Sequence, residues 1–252
     1  MIGRVCRLLP CLVVLAVAGA HAQMLVPRTE QGAEDQPPLE TKSLHATVTI
    51  DNQVATTRIE QVFVNHTEFD LEAVYLIPLP EAATVSDFAY WAGGKRIAAE
   101  IREKQEARDT YERITGLRRY PALLEKVGRN LFQARIYPVS PTEQMKVELE
   151  YQQVVPYDSG RVSYTYPLTV GGQQERIRDL TIVVKIKDQK PITNVESATH
   201  KLSITQPDPH TVSASFEASR VKPDKDFCLT YTVTSADFGI NFITYRKPKE
   251  RG

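Results

Sequence analysis

Apolar and polar residues alternate along most of this chain with a period of two, which is the pattern of half-buried β-strands. In the first half, the alternating runs are Leu44–Ile50, Ile59–Val64, Val74–Leu76, Phe88–Trp91, Arg96–Ile101, Phe132–Ile136 and Met145–Tyr151. Asp51-Asn52 and Gly93-Gly94 separate neighbouring runs and favour tight hairpin turns. This half is therefore predicted to form antiparallel β-structure.

The second half continues with short alternating runs between turn-rich breaks. The runs are Val162–Tyr166, Leu180–Ile186, Leu202–Ile204, Val212–Phe216 and Phe227–Val233. Strands at this spacing predict either a second antiparallel sandwich or an extension of the first one.

One stretch between these runs breaks the period of two. Ala107, Tyr111 and Ile114 recur at helical spacing and form one narrow apolar stripe, with charged residues on the other faces. Gly116 suits a helix end, and Pro121 suits the first turn of a second helix. We expect a short helical pair that closes one side or end of the first sandwich. Its packing side chains would be Tyr111, Ile114, Leu123 and Leu124.

Several residues occur together in a recognisable order. They are Asn65, Glu72-Ala-Val-Tyr-Leu-Ile-Pro-Leu-Pro80, Gly93-Gly94, Glu103-Lys104, Ala107, Tyr111-Glu112, Gly116, Ala122-Leu123-Leu124-Glu125, Asn130-Leu131-Phe132 and Tyr151. In this order the chain resembles the VIT domain, the module named for vault proteins and the inter-alpha-trypsin inhibitor heavy chains, over roughly Leu44 to Tyr157. The resemblance implies an antiparallel β-sandwich that serves in protein interaction or as a scaffold. It also implies a following β-rich segment with a Ser-x-x-His element, here Ser197 to His200, and an Asp-Phe-x-Leu strand, here Asp226 to Leu229.

The resemblance also suggests a partner. Most VIT-bearing chains continue into a von Willebrand type A domain, whose metal site begins with Asp-x-Ser-x-Ser, and this sequence contains no such motif. We therefore expect a protein partner, with a von Willebrand type A domain protein as the first candidate. Whether the chain is a stand-alone module or the front of a longer reading frame stays open.

The N-terminus has the pattern of a secretory signal peptide. Arg4 and Arg7 precede an apolar run from Leu8 to Gly19, and Ala20-His21-Ala22 places small residues before Gln23. The run is shorter than the ~20 apolar residues that span a bilayer. We expect cleavage after Ala22, no transmembrane span in the mature chain, and a secreted or periplasmic location.

These patterns, together with the resemblance to the VIT domain, predict a mainly β fold with five parts. They are a signal peptide over 1–22, a flexible leader over 23–42, a VIT domain over 43–157, a second β-rich, sandwich-like domain over 158–246 and a tail over 247–252. The leader is predicted to be flexible because it is polar, acidic and proline-bearing.

Charge limits the classes of partner. Lysine plus arginine and aspartate plus glutamate number 31 each, so no net field attracts nucleic acid. A hydrophobic content of 42% is enough for real cores. We expect no nucleic-acid partner.

The sequence contains no Gly-x-Ser-x-Gly, no His-Glu-x-x-His and no phosphate-binding glycine loop. Cys6 and Cys11 would leave with the signal peptide, so Cys228 would remain alone in a strand, where a small buried hydrophobe is the expected role. Asn65-His66-Thr67 has the form of a glycosylation sequon, which we expect to be unused.

The remaining candidate residues favour structural roles. Histidines His45, His66, His200 and His210 are dispersed, which disfavours a metal site, and we expect a hydrogen-bonded edge role for His200. Carboxylates Glu103, Glu106, Asp109 and Glu112 share the predicted helix with Lys104, Arg108 and Arg113, as on a solvated, charge-balanced face. The aromatics Phe88, Tyr90 and Trp91 fit a core or an interface better than a ligand site. We therefore expect no catalytic, cofactor-binding or metal residues and no cofactor.

Three functions fit the sequence. The preferred one is an exported, non-catalytic interaction or scaffold module of the VIT type at the bacterial cell envelope. The second is the front half of a VIT–von Willebrand A adhesion protein whose metal-dependent domain is encoded separately or lost. The third is an envelope-polymer hydrolase, which would need two carboxylates facing one cleft at ~5–9.5 Å.

Overall fold

The computed structural model describes residues 23–28, 39–102, 123–127, 130–169 and 176–233. Every helix or strand assigned within these ranges is a β-strand, so the predicted mainly β fold is confirmed. The predicted signal peptide, the predicted first helix with Tyr111 and Ile114, and the C-terminal tail lie outside the described residues. No helix in the described ranges is long and apolar enough to cross a membrane.

The strands, in chain order, have the following bounds. They are β1 Met24–Arg28, β2 Glu40–Asp51, β3 Val54–Val64, β4 Leu71–Pro78, β5 Thr84–Ala92, β6 Lys95–Ala98, β7 Glu100–Arg102, β8 Leu123–Lys126, β9 Leu131–Val139, β10 Gln144–Val154, β11 Tyr157–Asp158, β12 Arg161–Tyr166, β13 Ile177–Lys187, β14 Ile192–Glu196, β15 Ser203–Asp208, β16 Thr211–Val221 and β17 Phe227–Val233.

One long sheet organises the described part of the chain. Its strand order is β15-β16-β13-β2-β3-β10-β5-β6. All neighbours are antiparallel except β13 and β2, which run parallel with Leu180 opposite Leu44. Strands β13, β15 and β16 therefore extend the first sheet across the predicted boundary between residues 157 and 158, while β11, β12, β14 and β17 form a separate sheet.

Two smaller sheets pack against the same face of the long sheet. The five-stranded sheet has the order β1-β4-β9-β8-β7, and the four-stranded sheet has the order β11-β12-β17-β14. The inward face of β3 contacts both: Phe63 meets the Tyr75 ring of β4 edge-on at 6.1 Å, and Gln61 accepts a hydrogen bond from the Tyr75 hydroxyl. Nearer the other end of β3, Thr57 Oγ1 lies 2.8 Å from the Tyr164 hydroxyl of β12. Residues on one face of β3 thus contact both smaller sheets.

Buried tyrosines line these contacts, and most of their hydroxyls find polar partners. The Tyr166 hydroxyl donates to Gln23 Oε1 at 2.8 Å, and the Tyr231 hydroxyl donates to the Asn52 carbonyl at 3.2 Å. Burial raises the pKa of Tyr151 to about 12, so this phenol stays neutral at physiological pH. The sheets are therefore joined by large rings whose polar ends are placed specifically.

The leader, predicted to be flexible over Gln23–Lys42, is ordered at both ends. Met24–Arg28 pairs with β4, with Leu25 opposite Tyr75, and Leu25 is completely buried. At the other end β2 already begins at Glu40. The leader contains the short apolar segment Met24-Leu25-Val26, but the charged and proline-rich residues that follow dominate its composition and led to the prediction of flexibility.

The prediction of a second helix carrying Leu123 and Leu124 is wrong. Leu123 and Leu124 belong to β8, which pairs in parallel with β7 and antiparallel with β9. Leu124 is completely buried. Two adjacent leucines carry no period of their own, so the hydrogen-bonding ladders on both sides of β8 decide its conformation.

The predicted Gly93-Gly94 hairpin is confirmed. Ala92 pairs with Lys95 at the end of β5 and the start of β6. Gly93 and Gly94 have φ of 55° and 72°. Both positions need positive φ in a two-residue turn of this kind, which glycine adopts without a steric cost.

Candidate interaction surface

The face of the long sheet turned away from the two smaller sheets carries exposed polar side chains. On β2 these are His45, Thr47 and Thr49, and on β3 Arg58 is exposed. Period-two alternation places them here, because the apolar neighbours of each residue point into the core.

A cluster of charged side chains around one tryptophan lies on this face. We call it the Trp91 network, and its members are Arg58, Glu60, Asp87, Trp91, Arg96, Lys146 and Glu148. They come from β3, β5, β6 and β10, which are neighbours in the sheet. Three of the members are cations and three are carboxylates.

The centre of the network is a pair of glutamates on adjacent strands. Glu60 of β3 is directly opposite Glu148 of β10, an arrangement that is unfavourable for like charges. Lys146 relieves the repulsion, since its Nζ lies 2.8 Å from Glu148 Oε1 and 3.1 Å from Glu60 Oε2. Arg58 also contacts both carboxylates, at 3.3 Å from Glu148 and 3.5 Å from Glu60.

Glu148 is the buried member, with 6% of its surface exposed. Besides Lys146 and Arg58, Arg96 of β6 approaches it, with Nε 3.8 Å from Oε2. Arg96 is itself fixed by Asp87, with Nη2 2.5 Å from Oδ2. A buried carboxylate is unfavourable unless it is paired and hydrogen-bonded, and here cations from three strands meet that requirement.

Trp91 is half-buried and packs with two of these cations. Lys146 Nζ lies 4.8 Å from a Trp91 ring centroid, and the Arg96 guanidinium carbon lies 5.7 Å from it. Both distances are within the ~6 Å range of cation–π attraction. The ring is thus held between charged groups on a partly solvated face, and it is the chain's single tryptophan.

The charges of Lys146 and Glu60 are stable around neutral pH. The hydrogen bond to Glu148, followed by that to Glu60, raises the pKa of Lys146 despite some desolvation. The hydrogen bond from Lys146 likewise lowers the pKa of Glu60. Both groups are therefore ionised near neutrality, and the surface presents a fixed charge pattern with no net charge around an aromatic ring.

Of the three aromatic candidates near the hairpin, only Trp91 lies on this surface. Phe88 and Tyr90 are buried in the core, with 1% and 3% of their surfaces exposed. Phe88 stacks on Tyr75 at 5.8 Å between ring centroids. The core role expected for these aromatics is found for Phe88 and Tyr90, while Trp91 is the one available to a partner.

The four described histidines lie in separate places. His45 is exposed on β2, His66 Nε2 contacts Glu40 Oε2 at 2.5 Å, and His210 Nδ1 lies 3.1 Å from the Asp188 carbonyl. The His200 ring packs against Phe216 at 4.6 Å, and its Nδ1 contacts Thr199 Oγ1. In the described ranges, no group of three His, Cys, Asp or Glu residues is placed to hold a metal ion.

The carboxylates of the predicted helix, Glu103, Glu106, Asp109 and Glu112, lie outside the described residues together with Lys104, Arg108 and Arg113. The hydrolase hypothesis, which depends on paired carboxylates, is therefore left as a prediction.

Cys228 does lie in a strand, but on its half-exposed face. The buried positions of β17 are Phe227, Leu229 and their alternate successors, which leaves Cys228 half-exposed between them. Its Sγ is 3.8 Å from Thr165 Oγ1. The prediction of a buried thiol was wrong, because the period-two alternation of this strand already assigns the inward face to its larger apolar neighbours.

Asn65 of the sequon is fully buried and organises a loop. Its Nδ2 donates to the carbonyls of Phe69 at 3.0 Å and Val139 at 2.8 Å. Its Oδ1 accepts from the amide and the hydroxyl of Thr67 at 2.9 and 2.8 Å. A glycan on Nδ2 is incompatible with these contacts, which is consistent with an unused sequon.

The two elements expected after the VIT domain, Ser197 to His200 and Asp226 to Leu229, make hydrogen bonds between loops and strands. Thr199 Oγ1 accepts from the Cys228 amide at 3.1 Å, and the Ser197 hydroxyl accepts from the His200 amide at 3.1 Å. Asp226 Oδ1 accepts from the amides of Leu168 and Thr169 at 3.1 and 2.9 Å. Burial lowers the pKa of His200, so the ring is neutral near pH 7. The contacts of both elements are structural ones.

Sequence reasoning did not identify the Trp91 network. The alternation of the run Met145–Tyr151 predicts Lys146 and Glu148 only as the polar face of a strand, and no pattern distinguishes Arg58 and Glu60 from other polar residues. A weak signal exists, because outward positions of three predicted strands carry alternating charges near the single tryptophan. The pairing of Glu60 with Glu148, however, depends on a register that the sequence alone does not determine.

Comparison with known proteins identifies the domain. Residues 41–151 match the family model described as Vault protein inter-alpha-trypsin domain, or VIT. The resemblance seen in the sequence is thereby confirmed, and the chain carries a VIT domain over these residues.

Curated relatives match part of this chain. The von Willebrand factor A domain-containing protein 5A of Rattus norvegicus is 27% identical over 176 residues, which cover 69% of this chain and 21% of that protein. The protein mono-ADP-ribosyltransferase PARP4 of Mus musculus is 25% identical over 157 residues, covering 60% of this chain and 8% of that protein. The chain thus spans about a fifth, or less, of the length of these relatives.

A solved structure has a similar fold. The crystal structure of a proposed nutrient binding protein from Legionella pneumophila superposes with a TM-score of 0.53 at 15% sequence identity. The superposition covers 84% of this chain and 70% of that one. At this identity the likeness concerns the fold alone.

Proposed function

We propose that this chain is a non-catalytic protein-interaction module and that its VIT domain contacts a von Willebrand A domain through the Trp91 network. The observation that carries the proposal is the arrangement of Lys146, Arg96 and Glu148 around a half-exposed Trp91. Tryptophan and arginine are the residue types most enriched at the energetic centres of protein interfaces.

The chemistry of the network favours recognition over reaction. Each cation is paired with at least one carboxylate, and the pKa values of Lys146 and Glu60 are shifted away from neutrality. A general acid or base works best with a pKa near the operating pH. A fixed charge pattern instead selects partners by electrostatic complementarity.

The choice of partner rests on the relatives. The rat protein that matches this chain is described as containing a von Willebrand factor A domain. In this chain the partner domain would be supplied by a longer polypeptide or by a neighbouring reading frame. The front half of a VIT–von Willebrand A protein is accordingly a second form of the same proposal.

We also propose that the module acts outside the cytoplasm, in the periplasm or secreted at a bacterial cell envelope. The basic and apolar N-terminus before Gln23 supports this. Strand β1 begins at Met24, so the predicted cleavage after Ala22 would leave it intact.

The interaction is tested with the tryptophan itself. The DNA next to the gene is searched for a reading frame that encodes a domain with an Asp-x-Ser-x-Ser motif. That domain is then produced and titrated into the mature protein. Because Trp91 is the single tryptophan of this chain, a partner domain mutated to lack tryptophan makes the emission specific for the network. We expect a saturable change in emission.

Two variants locate the contact. Lys146→Ala should weaken binding about tenfold or more, the loss typical of an interface hot spot. Lys185→Ala, which removes an exposed lysine of β13 elsewhere in the same sheet, should bind like wild type. Equal losses in the two variants, or no binding to any von Willebrand A domain, would remove the proposal.

A further inference from the structure

An arginine-lined cleft of about 530 Å³ lies where β2 and β13 begin and β16 ends. The described residues that line it are Glu40, Arg176, Arg178 and Arg220. None of these residues belongs to the Trp91 network. Three arginines and one glutamate thus line the cleft among the described residues, and their formal charges leave an excess of two positive charges, in a chain whose total charges balance.

Glu40 fixes one wall of the cleft. Its Oε1 accepts from Arg178 Nη2 at 2.7 Å, and its Oε2 contacts His66 Nε2 at 2.5 Å. The side chain of Glu40 is 15% exposed. The hydrogen bond to His66, and then the contacts to Arg178, lower the pKa of Glu40 against the effect of burial. Glu40 is thus ionised near neutrality and holds the Arg178 guanidinium in position.

The other two arginines are not neutralised within the described part of the chain. Arg176 Nη1 donates to the main-chain carbonyl of Arg220 at 3.2 Å, a contact that keeps the two residues at the same cleft without using a carboxylate. The only carboxylate that pairs with a cleft arginine in the described ranges is Glu40, on Arg178. Within the described residues, no carboxylate pairs with the guanidinium group of Arg176 or Arg220, so both groups can donate hydrogen bonds to a ligand.

We propose that this cleft binds a phosphate group, presented as a monoester of a small organic molecule. The planar guanidinium fork matches tetrahedral oxyanions through paired hydrogen bonds, which an ammonium group does not provide. A dianionic phosphate neutralises both excess charges, whereas a carboxylate neutralises one. The cleft volume lies within the ~300–1,000 Å³ range of small-molecule sites, so it has room for the organic part of an ester.

Calorimetric titration of the full chain tests the site. Phenyl phosphate, inorganic phosphate, inorganic sulfate and acetate are added separately at constant ionic strength in a buffer without phosphate. We expect saturable binding of phenyl phosphate, with acetate much weaker. Tighter binding of the ester than of the free anions supports the proposed source of the group. Equal binding would overturn the ester while retaining the oxyanion site.

Charge variants decide whether the cleft is the site. Arg220→Gln should weaken phenyl phosphate binding about tenfold, the loss expected for one charge-assisted hydrogen bond, and Arg220→Lys should restore it only in part. Glu40→Gln should tighten binding, because it removes the internal anion and frees Arg178. Arg161→Gln is the matched control, since Arg161 is an exposed arginine of β12 paired with Glu196.

Three further results would overturn the proposal. The first is the absence of saturable heat with phenyl phosphate. The second is an equal loss in Arg161→Gln and Arg220→Gln, which would indicate general attraction to a cationic surface. The third is weaker binding by a Glu40→Gln protein whose thermal melting matches wild type, because Glu40 would then be helping the ligand directly.

Discussion

Replacing Asn65 by aspartate should be among the most damaging single-atom changes in the VIT domain. Asn65 is completely buried, and its Nδ2 donates to two carbonyls, those of Phe69 and Val139. An ionised carboxylate of the same size keeps the two acceptor contacts with Thr67 but cannot donate. It would instead place a charged oxygen against two carbonyl oxygens.

The magnitude follows from these contacts. Two lost hydrogen bonds account for about 1 kcal/mol each, and the Val139 carbonyl, which loses the Nδ2 donor, adds about 1–3 kcal/mol. The Phe69 carbonyl keeps the Thr67 hydroxyl within hydrogen-bond distance, at 3.1 Å. We expect Asn65→Asp to lower the free energy of unfolding by about 3–5 kcal/mol, a large share of the ~5–15 kcal/mol of an ordinary domain.

Urea denaturation followed by Trp91 fluorescence and circular dichroism measures the loss. Thr67→Val is the graded control, since it removes only the hydroxyl contacts of the same loop and should have an effect of about 1 kcal/mol. The pKa of the introduced carboxyl would be raised by the carbonyls, so part of the loss should be recovered as the pH falls through that raised pKa. A variant within about 0.5 kcal/mol of wild type at pH 7 would refute the reasoning, because the four contacts of Asn65 would then contribute little.

Three further outcomes are expected. Leu124→Ala should lower stability by about 2–5 kcal/mol in denaturant melts, because Leu124 is completely buried in β8, whereas Thr49→Ala on the exposed face of β2 should stay within about 0.5 kcal/mol. Stability should fall in acid as the pH drops through the lowered pKa of Glu60, and in alkali as it rises through the raised pKa of Lys146. Thermal melts of Lys146→Ala across pH should lose both dependences in part, and an unchanged profile would contradict the network. The exported protein should begin at Gln23, and the intact mass of secreted or periplasmic material measures this. A mass that still includes Met1 would contradict it.

Strands with a clean period of two could be predicted from the sequence, and short apolar segments could not. Val147, Leu149 and Tyr151 in β10 alternate with charged residues, which leaves one conformation that buries the first set. Leu25 in β1 and Leu124 in β8 belong to elements of four or five residues. Pairing with β4 and β9 determines the conformation of these two short strands. The local sequence pattern therefore does not predict it.

The sequence also did not predict which distant strands pair with each other. Strands β2 and β13 are separated by more than a hundred residues, yet they lie side by side in parallel, with Val184 opposite Val48. Both are apolar on one face and polar on the other, as any edge or central strand of a half-exposed sheet would be. The pattern therefore predicts two strands and leaves the partner of each undetermined, which is why the sequence allowed both an extended sheet and a separate sandwich.

The position of Glu60 opposite Glu148 bears on what the network is for. Two facing glutamates destabilise a sheet unless cations are supplied, and threonine or serine at either position would avoid the problem with no ion pair at all. Exposed ion pairs add little stability in return, about 0–1 kcal/mol each, and most members of the network are more than one-third exposed. The arrangement is thus a poor means of stabilising a sheet. It is an effective means of holding Lys146 and Arg96 over Trp91 in one geometry, and that rigidity reduces the entropy lost when a partner is bound.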